Sequence, residues 1–506
     1  MAEVSLFSCR QKTYFLMLRK IRLLLAAASF IIILLLFCDF TGALRPYLGF
    51  MAKLQLWPSL VALNIAVVVT LVVLTLLLGR VYCSVICPLG ITQDIISWFA
   101  GRRKKNRFRF SKARTWLRMV VLIVFVGAFA AGLSPLVSLF EPYSAFGRIA
   151  QSIVAPIYRL ANNGLAMAAE QADSYAFYRT DVYIKGMITL IVAVLTLVVV
   201  AVLAWRGGRT YCNAFCPIGT LLGFVSRYSL LQINIDTAKC NGCGLCARNC
   251  KSSCIDAKLH EVDKSRCVSC MDCIGKCRTG AISFGHRLRR ETVSEPIVDT
   301  GKRTFLAATA LVATQALRAK EKTVDGGLAV IEDKEIPERG QYIVPPGALS
   351  IRNFAQRCTA CQLCVSACPN DVLRPSTDLL RLMQPEASYE RGYCRPECTA
   401  CSEVCPTGAI QRLTTAEKSS TQIGHAVWTR WNCIPLTDGV ECGNCARHCP
   451  TGAITMVPDR EDDESSPKVP LVDVERCIGC GACENLCPAR PFTAIYVEGH
   501  VMHRTI

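Results

Sequence analysis

"GRVYCSVICPLG" (Gly79–Gly90) follows directly on the apolar run "LVVLTLLL", and "GRTYCNAFCPIG" (Gly208–Gly219) again stands behind an apolar run. The two frames match at Gly, Arg, Tyr, both Cys, Pro and Gly. One such pair of cysteines reads as small buried residues, since a free thiol packs like a small hydrophobe. A whole frame repeated at equivalent places reads as a site. A spacing of four predicts Cys83 above Cys87 on one helix face, and Cys212 above Cys216. Pro88 and Pro217 each remove a backbone donor, so the helix is expected to stop or bend there. Related by the repeat, the pairs are expected to converge. Four sulfurs in one place can ligate a metal or an iron–sulfur centre, or cycle between dithiol and disulfide.

Working outward, four uncharged apolar stretches are candidates to cross a bilayer of about 30 Å: Leu23–Cys38, Trp57–Leu78, Met119–Phe140 and Gly186–Trp205. Pro135 falls near the end of the third, where a kink is tolerated. The first 22 residues carry Arg10, Lys12, Arg19, Lys20 and Arg22 against Glu3 alone, and Gly101–Arg118 carries nine basic residues and no acid. Basic loops stay on the inner side. The N-terminus and 101–118 are therefore expected inside and 142–183 outside, which brings both Cys-x3-Cys-Pro motifs to the inner surface. All six histidines lie outside the apolar runs, which excludes a membrane haem held by two imidazoles.

The chain has 506 residues, 31 cysteines and a formal charge of +18, with positive mean hydropathy. A disulfide scaffold is normally short and loop-rich, so the cysteines read as ligands. "CNGCGLCARNC" sets Cys240, Cys243, Cys246 and Cys250 at the spacing of bacterial ferredoxins, and "CVSCMDCIGKC" repeats it with Cys267, Cys270, Cys273 and Cys277. In that pattern the fourth cysteine serves the other cluster. Cys240, Cys243, Cys246 and Cys277 are thus expected on one [4Fe–4S] cluster, and Cys267, Cys270, Cys273 and Cys250 on the second. Lys251 and Arg278 replace the usual proline after the fourth cysteine. Zinc sites favour two separated pairs or Cys with His, which fits this phasing poorly.

Four more groups follow: Cys358, Cys361, Cys364 and Cys368; Cys394, Cys398, Cys401 and Cys405; Cys433, Cys442, Cys445 and Cys449; Cys477, Cys480, Cys483 and Cys487. Each ends in Cys-Pro, and "CPTGAI" occurs twice. Four further clusters are expected, six in all. Twenty-four thiolates on six 2+ cores add about −12, leaving about +6, so the basic balance does not argue for a nucleic-acid partner. Cys9, Cys38 and Cys254 stand alone and read as structural or incidental. No nucleotide-binding fingerprint and no constellation for hydride or acyl chemistry occurs. The chain is expected to move electrons singly, with any substrate chemistry on another subunit.

On these residues the chain resembles a known family. Residues 20–290, through the four spans, the motifs at Cys83/Cys87 and Cys212/Cys216 and the paired ferredoxin groups, resemble the NapH-type membrane subunit of periplasmic nitrate reductase systems. A nitrous-oxide reductase maturation regulator and a cytochrome oxidase copper-assembly factor share similar motifs. Residues 301–506, through "PPGAL" (Pro345–Leu349), Phe354 and the four cysteine groups, resemble the NapG-type four-cluster ferredoxin. The resemblance implies a quinol dehydrogenase component that oxidises membrane quinol and passes electrons to a terminal reductase. It also implies sharing of clusters between the first and fourth groups and between the second and third.

The expected architecture is an α-helical membrane domain over 1–228 and a two-cluster α+β ferredoxin module over 229–290. A linker over 291–340 and a four-cluster α+β module over 341–506 complete it. "GKRTFLAATALVATQAL" (Gly301–Leu317) looks like a twin-arginine export segment with Lys302 in place of the first arginine. Its apolar run, 305–317, spans about 20 Å as helix and is a candidate fifth crossing. The expected place is the bacterial inner membrane, in contact with lipid and the quinone pool, with the first module cytoplasmic and the last outside. Cys83, Cys87, Cys212 and Cys216 are the candidate redox residues, and Glu141 a candidate acceptor of a quinol proton. The rival expectation is a maturation or redox-regulatory factor that supplies electrons for metal-centre assembly.

Overall fold

The computed structural model describes residues 2–102, 108–286, 334–460, 462–463 and 465–506. The candidate export or fifth membrane segment at 301–317 lies outside the described residues. Among the described residues, two helices are long and apolar enough to cross a membrane: Met17–Cys38, the distal part of the helix Ala2–Cys38, and Met187–Gly207. The first thus extends Leu23–Cys38 at its N-terminal side.

The other two apolar stretches are each broken in two. Trp57–Leu78 becomes the helices Leu56–Val61 and Ile65–Leu78. Leu63 takes φ 56° between them, and Asn64 caps the second by accepting the Val67 N–H at 3.4 Å. Met119–Phe140 becomes Thr115–Ala130 and Ser134–Phe140. Gly132, at φ 74°, takes the left-handed conformation that ends the first helix. Pro135 lies in the first turn of the second, where its missing N–H costs nothing, so it starts a helix instead of kinking one.

The cysteine frames also differ from expectation. Cys83 lies in the short helix Val81–Val85, whereas Cys87 is the extended N-cap of Pro88–Gly101. Cys212 lies in Thr210–Ala214, and Cys216 caps Pro217–Ser226. The members of each pair therefore do not share one helix face; the proline after each second cysteine opens a new helix. The stretch read as an outer loop, 142–183, is largely helical, with Pro142–Ile149, a π-turn over Ala150–Val154, and Ala155–Glu170. Its first part is buried among the apolar helices and brings Glu141 and Arg148 into the interior.

Outward faces are apolar. Along Met187–Gly207 the exposed side chains include Ile191, Leu195, Val198 and Val202. A helix apolar on every side belongs in a large core or in lipid.

Both ferredoxin modules are small α+β units. In the first, Leu231–Ile235 pairs antiparallel with Ile282–His286, Ile233 and Ile282 face inward, and a two-residue ladder joins Ile255–Asp256 to Glu261–Val262. In the second, Thr421–Trp428 pairs with Ile495–Thr505, Ile454–Pro458 with Lys468–Val472, and Leu373–Pro375 with Pro385–Ala387.

The two modules hold opposite ends of the same helices. At one end, Arg19 pairs with Asp272 at 2.7 Å, Arg118 donates to the Ser265 hydroxyl at 3.1 Å, and the Arg209 N–H donates to the Lys251 carbonyl at 2.7 Å. At the other, Ser134 donates to the Ala355 carbonyl, Lys185 pairs with Asp371 at 2.9 Å, and Gly147 lies so close to the Cys361 carbonyl that a Cβ would collide. Met187–Gly207 therefore begins beside the second module and ends beside the first.

Candidate iron–sulfur centres

Four of the six cysteine groups wind their first three cysteines through one backbone pattern. The second residue after the first cysteine and the residue after the second cysteine both take positive φ: Gly242 and Gly244, Ser269 and Met271, Ala360 and Gln362, Gly479 and Gly481. Glycine adopts this conformation freely, whereas the non-glycine residues pay about 1 kcal/mol each. Such reversals fold successive N–H groups inward into a concavity that suits an anion. A helix of about one turn then carries the third cysteine at its start and the fourth at or near its end, as in Leu363–Ala367 and Ala482–Leu486. The fourth sulfur is thereby delivered to a neighbouring loop.

Small cavities follow this geometry. One is lined by Cys358, Cys361, Cys364 and Cys405. A second is lined by Cys394, Cys398, Cys401 and Cys368, and a third by Cys477, Cys480, Cys483 and Cys449. Burial pushes the Cys445 thiol up to about 11, and Cys442, Cys487 and Cys433 all lie close enough to it to add to the cost of ionising it. The first group thus exchanges its fourth cysteine with the second, and the third with the fourth. This corrects the expected pairing of first with fourth and second with third. The exchange is local because a one-turn helix reaches only the adjacent loop. A backbone hydrogen bond from Cys394 to the Cys480 carbonyl, 2.9 Å, joins the two pairs into a row.

In the first module, Cys250, Cys267, Cys270 and Cys273 line a common cavity, and Cys254 lines it too, its sulfur 3.5 Å from that of Cys250. Cys254, read as incidental, thus belongs to the sulfur shell. Cys38 is buried in the apolar core, and the Cys9 side chain lies outside the described residues. These cavities suit a cubane held by sulfurs some distance apart. Among the described residues, no three His, Cys, Asp or Glu side chains converge closely enough for a single metal ion.

The membrane-domain cysteines do come together. Cys83, Cys87, Cys212 and Cys216 are all buried and within electrostatic reach of one another. Gln93 donates to the Cys212 sulfur at 3.1 Å, and the Gly219 N–H to the Cys216 sulfur at 3.3 Å. Two residues with no role assigned from sequence complete the site, although both belong to the repeated frame. Arg80 donates to the Cys212 carbonyl at 3.3 Å, and Arg209 to the Cys83 carbonyl at 2.6 Å. Each arginine, fully buried, thus straps its own half of the repeat to the other. Their charges favour negative sulfur. Arg80 also donates to the Ser265 carbonyl at 3.0 Å, which ties the quartet to the loop before Cys267.

Asp94 closes the junction. It accepts from Arg209 and from Lys251, each at 2.7 Å, and Lys251 also pairs with Asp272 at 3.2 Å. Burial works against the Asp94 carboxylate, but Arg209 and Lys251 outweigh it and hold the group well below the usual carboxylate range. Lys251 occupies the position where ferredoxins usually have proline, and here it binds the first module to the helices. Arg278, its counterpart, is exposed.

Glu141 is buried beyond the quartet, near Tyr82, Tyr211 and Tyr143. One carboxylate oxygen accepts the Ser144 N–H and the other has no partner.

Family models of iron–sulfur domains match parts of the chain. A 4Fe-4S binding domain matches residues 60–107 and 187–236, which hold the two Cys-x3-Cys-Pro frames. 4Fe-4S dicluster domains match 263–372 and 440–490. The chain is 33% identical over 171 residues to the methylamine utilization ferredoxin-type protein MauM of Methylophilus methylotrophus, covering 32% of this chain and 72% of that protein. It is 32% identical over 177 residues to the ferredoxin-type protein NapG of Escherichia coli, covering 32% and 75%. With the ferredoxin-type protein NapH of Haemophilus influenzae it shares 27% over 219 residues, covering 41% of this chain and 63% of that protein. No solved structure matches. The cysteine-lined cavities, the family models and these relatives together place the chain among the ferredoxin-type iron–sulfur proteins of the NapH/NapG kind, as a carrier of electrons.

Proposed function

We propose that this protein is a quinol-oxidising relay that holds six [4Fe–4S] clusters on its 24 ferredoxin cysteines and crosses the inner membrane at least four times. Bound in the cysteine cavities, the clusters would accept and release single electrons. The observation that carries the reading is the attachment of both modules to opposite ends of the same apolar helices, with the Cys83/Cys87/Cys212/Cys216 quartet between them. The helix Met187–Gly207 is about 31 Å long at 1.5 Å per residue, enough for a bilayer core. Arg19, Arg22 and Arg118 stand at the end that carries the first module. Basic residues stay inside, so that module is cytoplasmic and the second lies outside.

The residues divide the work. The 24 cysteines hold the clusters, and the row of four sites in the second module leads away from the helices to a partner reductase. The quartet, strapped by Arg80 and Arg209, passes electrons between the modules, either on a further iron–sulfur centre or as a redox dithiol; the single metal ion expected as an option is not supported, because the four sulfurs do not converge closely enough to hold one. A maturation or regulatory role is not favoured by the electron-transfer relatives. Replacing Cys87 and Cys216 by Ser tests the reading: a quinol analogue then reduces the clusters of one module only, with all six ferredoxin clusters retained. Undiminished reduction of all six would overturn it.

A further inference from the structure

We infer that a cavity at the seam between the helical domain and the second ferredoxin module binds the headgroup of the quinol. The inference deepens the proposed relay and rests on it. The cavity measures about 380 Å³, whereas those around the cysteine sets hold about 20 Å³ or less. Only the larger volume takes an aromatic ring with its substituents.

Its two walls have different chemistry. Trp57, Phe129 and Gly132 contribute from the apolar helices, and Arg352, Gln356 and Thr359 from the module. The helix break at Gly132 shapes the first wall, and Phe129 is half exposed to the apolar surroundings of the helices, so a lipid-soluble ligand can enter from the side. Trp57 packs edge-on against Phe125 and Phe129, ring centroids 4.6 and 5.1 Å away. Its Nε1 is buried without a hydrogen-bond partner, and so is the Thr359 hydroxyl; both side chains are more than nine-tenths buried. Leaving such groups unpaired costs about 1–3 kcal/mol each. Both residues lie in the cavity's walls, so a ring bearing oxygen atoms packs beside them and among the aromatic side chains.

The location fits the chemistry. Cys358 and Thr359 line this cavity and also the adjoining one with Cys361, Cys364 and Cys405. A ring bound here has one protein wall between itself and that sulfur set. Val137 lines the cavity as well, and one helical turn on stands Glu141, whose N–H donates to the Val137 carbonyl and whose free carboxylate oxygen is buried. Oxidation of hydroquinone to quinone breaks two O–H bonds and releases two protons and two electrons. The protons leave by way of Glu141 and the solvent at this end. The oxidant, by class, would be an iron–sulfur cluster held by Cys358, Cys361, Cys364 and Cys405, which would take one electron at a time and hand the first on to the next cluster before accepting the second.

The test uses the full-length, cluster-loaded protein in lipid nanodiscs and a photoreactive azidoquinone. Peptide mapping is expected to place the adduct within 129–137 or 352–359. Ala131→Trp, which fills the cavity without altering a cysteine, is expected to cut labelling at least tenfold, with iron content and dithionite-reduced spectra kept at wild-type level. Thr359→Val removes one hydroxyl at nearly constant shape and is expected to weaken labelling about tenfold. An adduct on the segment of Cys83–Cys87, or labelling undiminished in both variants, would overturn the site. If the adduct maps elsewhere while quinol still reduces the clusters, the site falls and the relay stands. If it maps here and quinol reduces nothing, the site stands and the relay falls.

Discussion

At the scale of single residues, buried charge does the joining. Asp94 faces Arg209 from the second half of the repeat, Lys251 from the first ferredoxin module and, at 3.7 Å, Arg22 from the first helix, so removing it strips Arg209 and Arg22 of their carboxylate and leaves Lys251 with Asp272 alone. Asp94→Ala is expected to destabilise the junction by about 3 kcal/mol, the usual result of breaking a buried pair. Thermal unfolding monitored by cluster absorbance would show it. Because the folded carboxyl titrates below its unfolded value of about 3.9, the pair's contribution is complete above that pH. It is lost as pH falls through the lower folded value, so the difference between Asp94→Ala and wild type shrinks in acid. Glu141→Gln is expected to slow quinol-driven reduction about a hundredfold, the scale of a lost proton acceptor, while dithionite still reduces every cluster. Stopped-flow absorbance with both reductants separates the two effects. In the sequence, Lys251 showed only as a missing proline, because its partners Asp94 and Asp272 are remote or on a different loop.

At the scale of elements, the cysteine loops depend on their left-handed residues. Gly481 takes φ 78° against the ring of Tyr389, and a Cβ there would overlap that ring. Tyr389 in turn donates to the Gly479 carbonyl at 2.8 Å. Gly481→Ala therefore combines overpacking with backbone strain, together about 2–4 kcal/mol. It is expected to lose the cluster of Cys449, Cys477, Cys480 and Cys483, about four irons, and to leave the membrane-proximal sites loaded. Iron analysis and electron paramagnetic resonance would count them. The Cys-x3-Cys-Pro frames show how local spacing misleads. A separation of four within one helix puts two side chains on one face, but proline opened a second helix and the second cysteine became its cap. The same rule explains the broken apolar stretches, where Leu63 and Gly132 take left-handed turns that composition does not reveal.

At the scale of the whole molecule, the modules flank a helical domain that is apolar on its outer faces and charged within. A phosphatase reporter fused after Ile506 is expected to be active outside the cytoplasm, and a fluorescent reporter on the N-terminus to fold inside. Both reporters on one side would refute the opposed arrangement. The sequence by itself determined the ferredoxin groups, because cysteine spacing within a loop is a short-range property that a dozen residues enforce. It likewise determined the apolar stretches and the basic end, which depend on composition alone. Only the tertiary structure decided which groups exchange a cysteine, that Arg80 and Arg209 cross-strap the quartet, that 142–151 is buried, and that a cavity opens beside Cys358. Each of these joins segments far apart in the chain. Such contacts are set by how whole helices and modules pack, and no local pattern of residues encodes them.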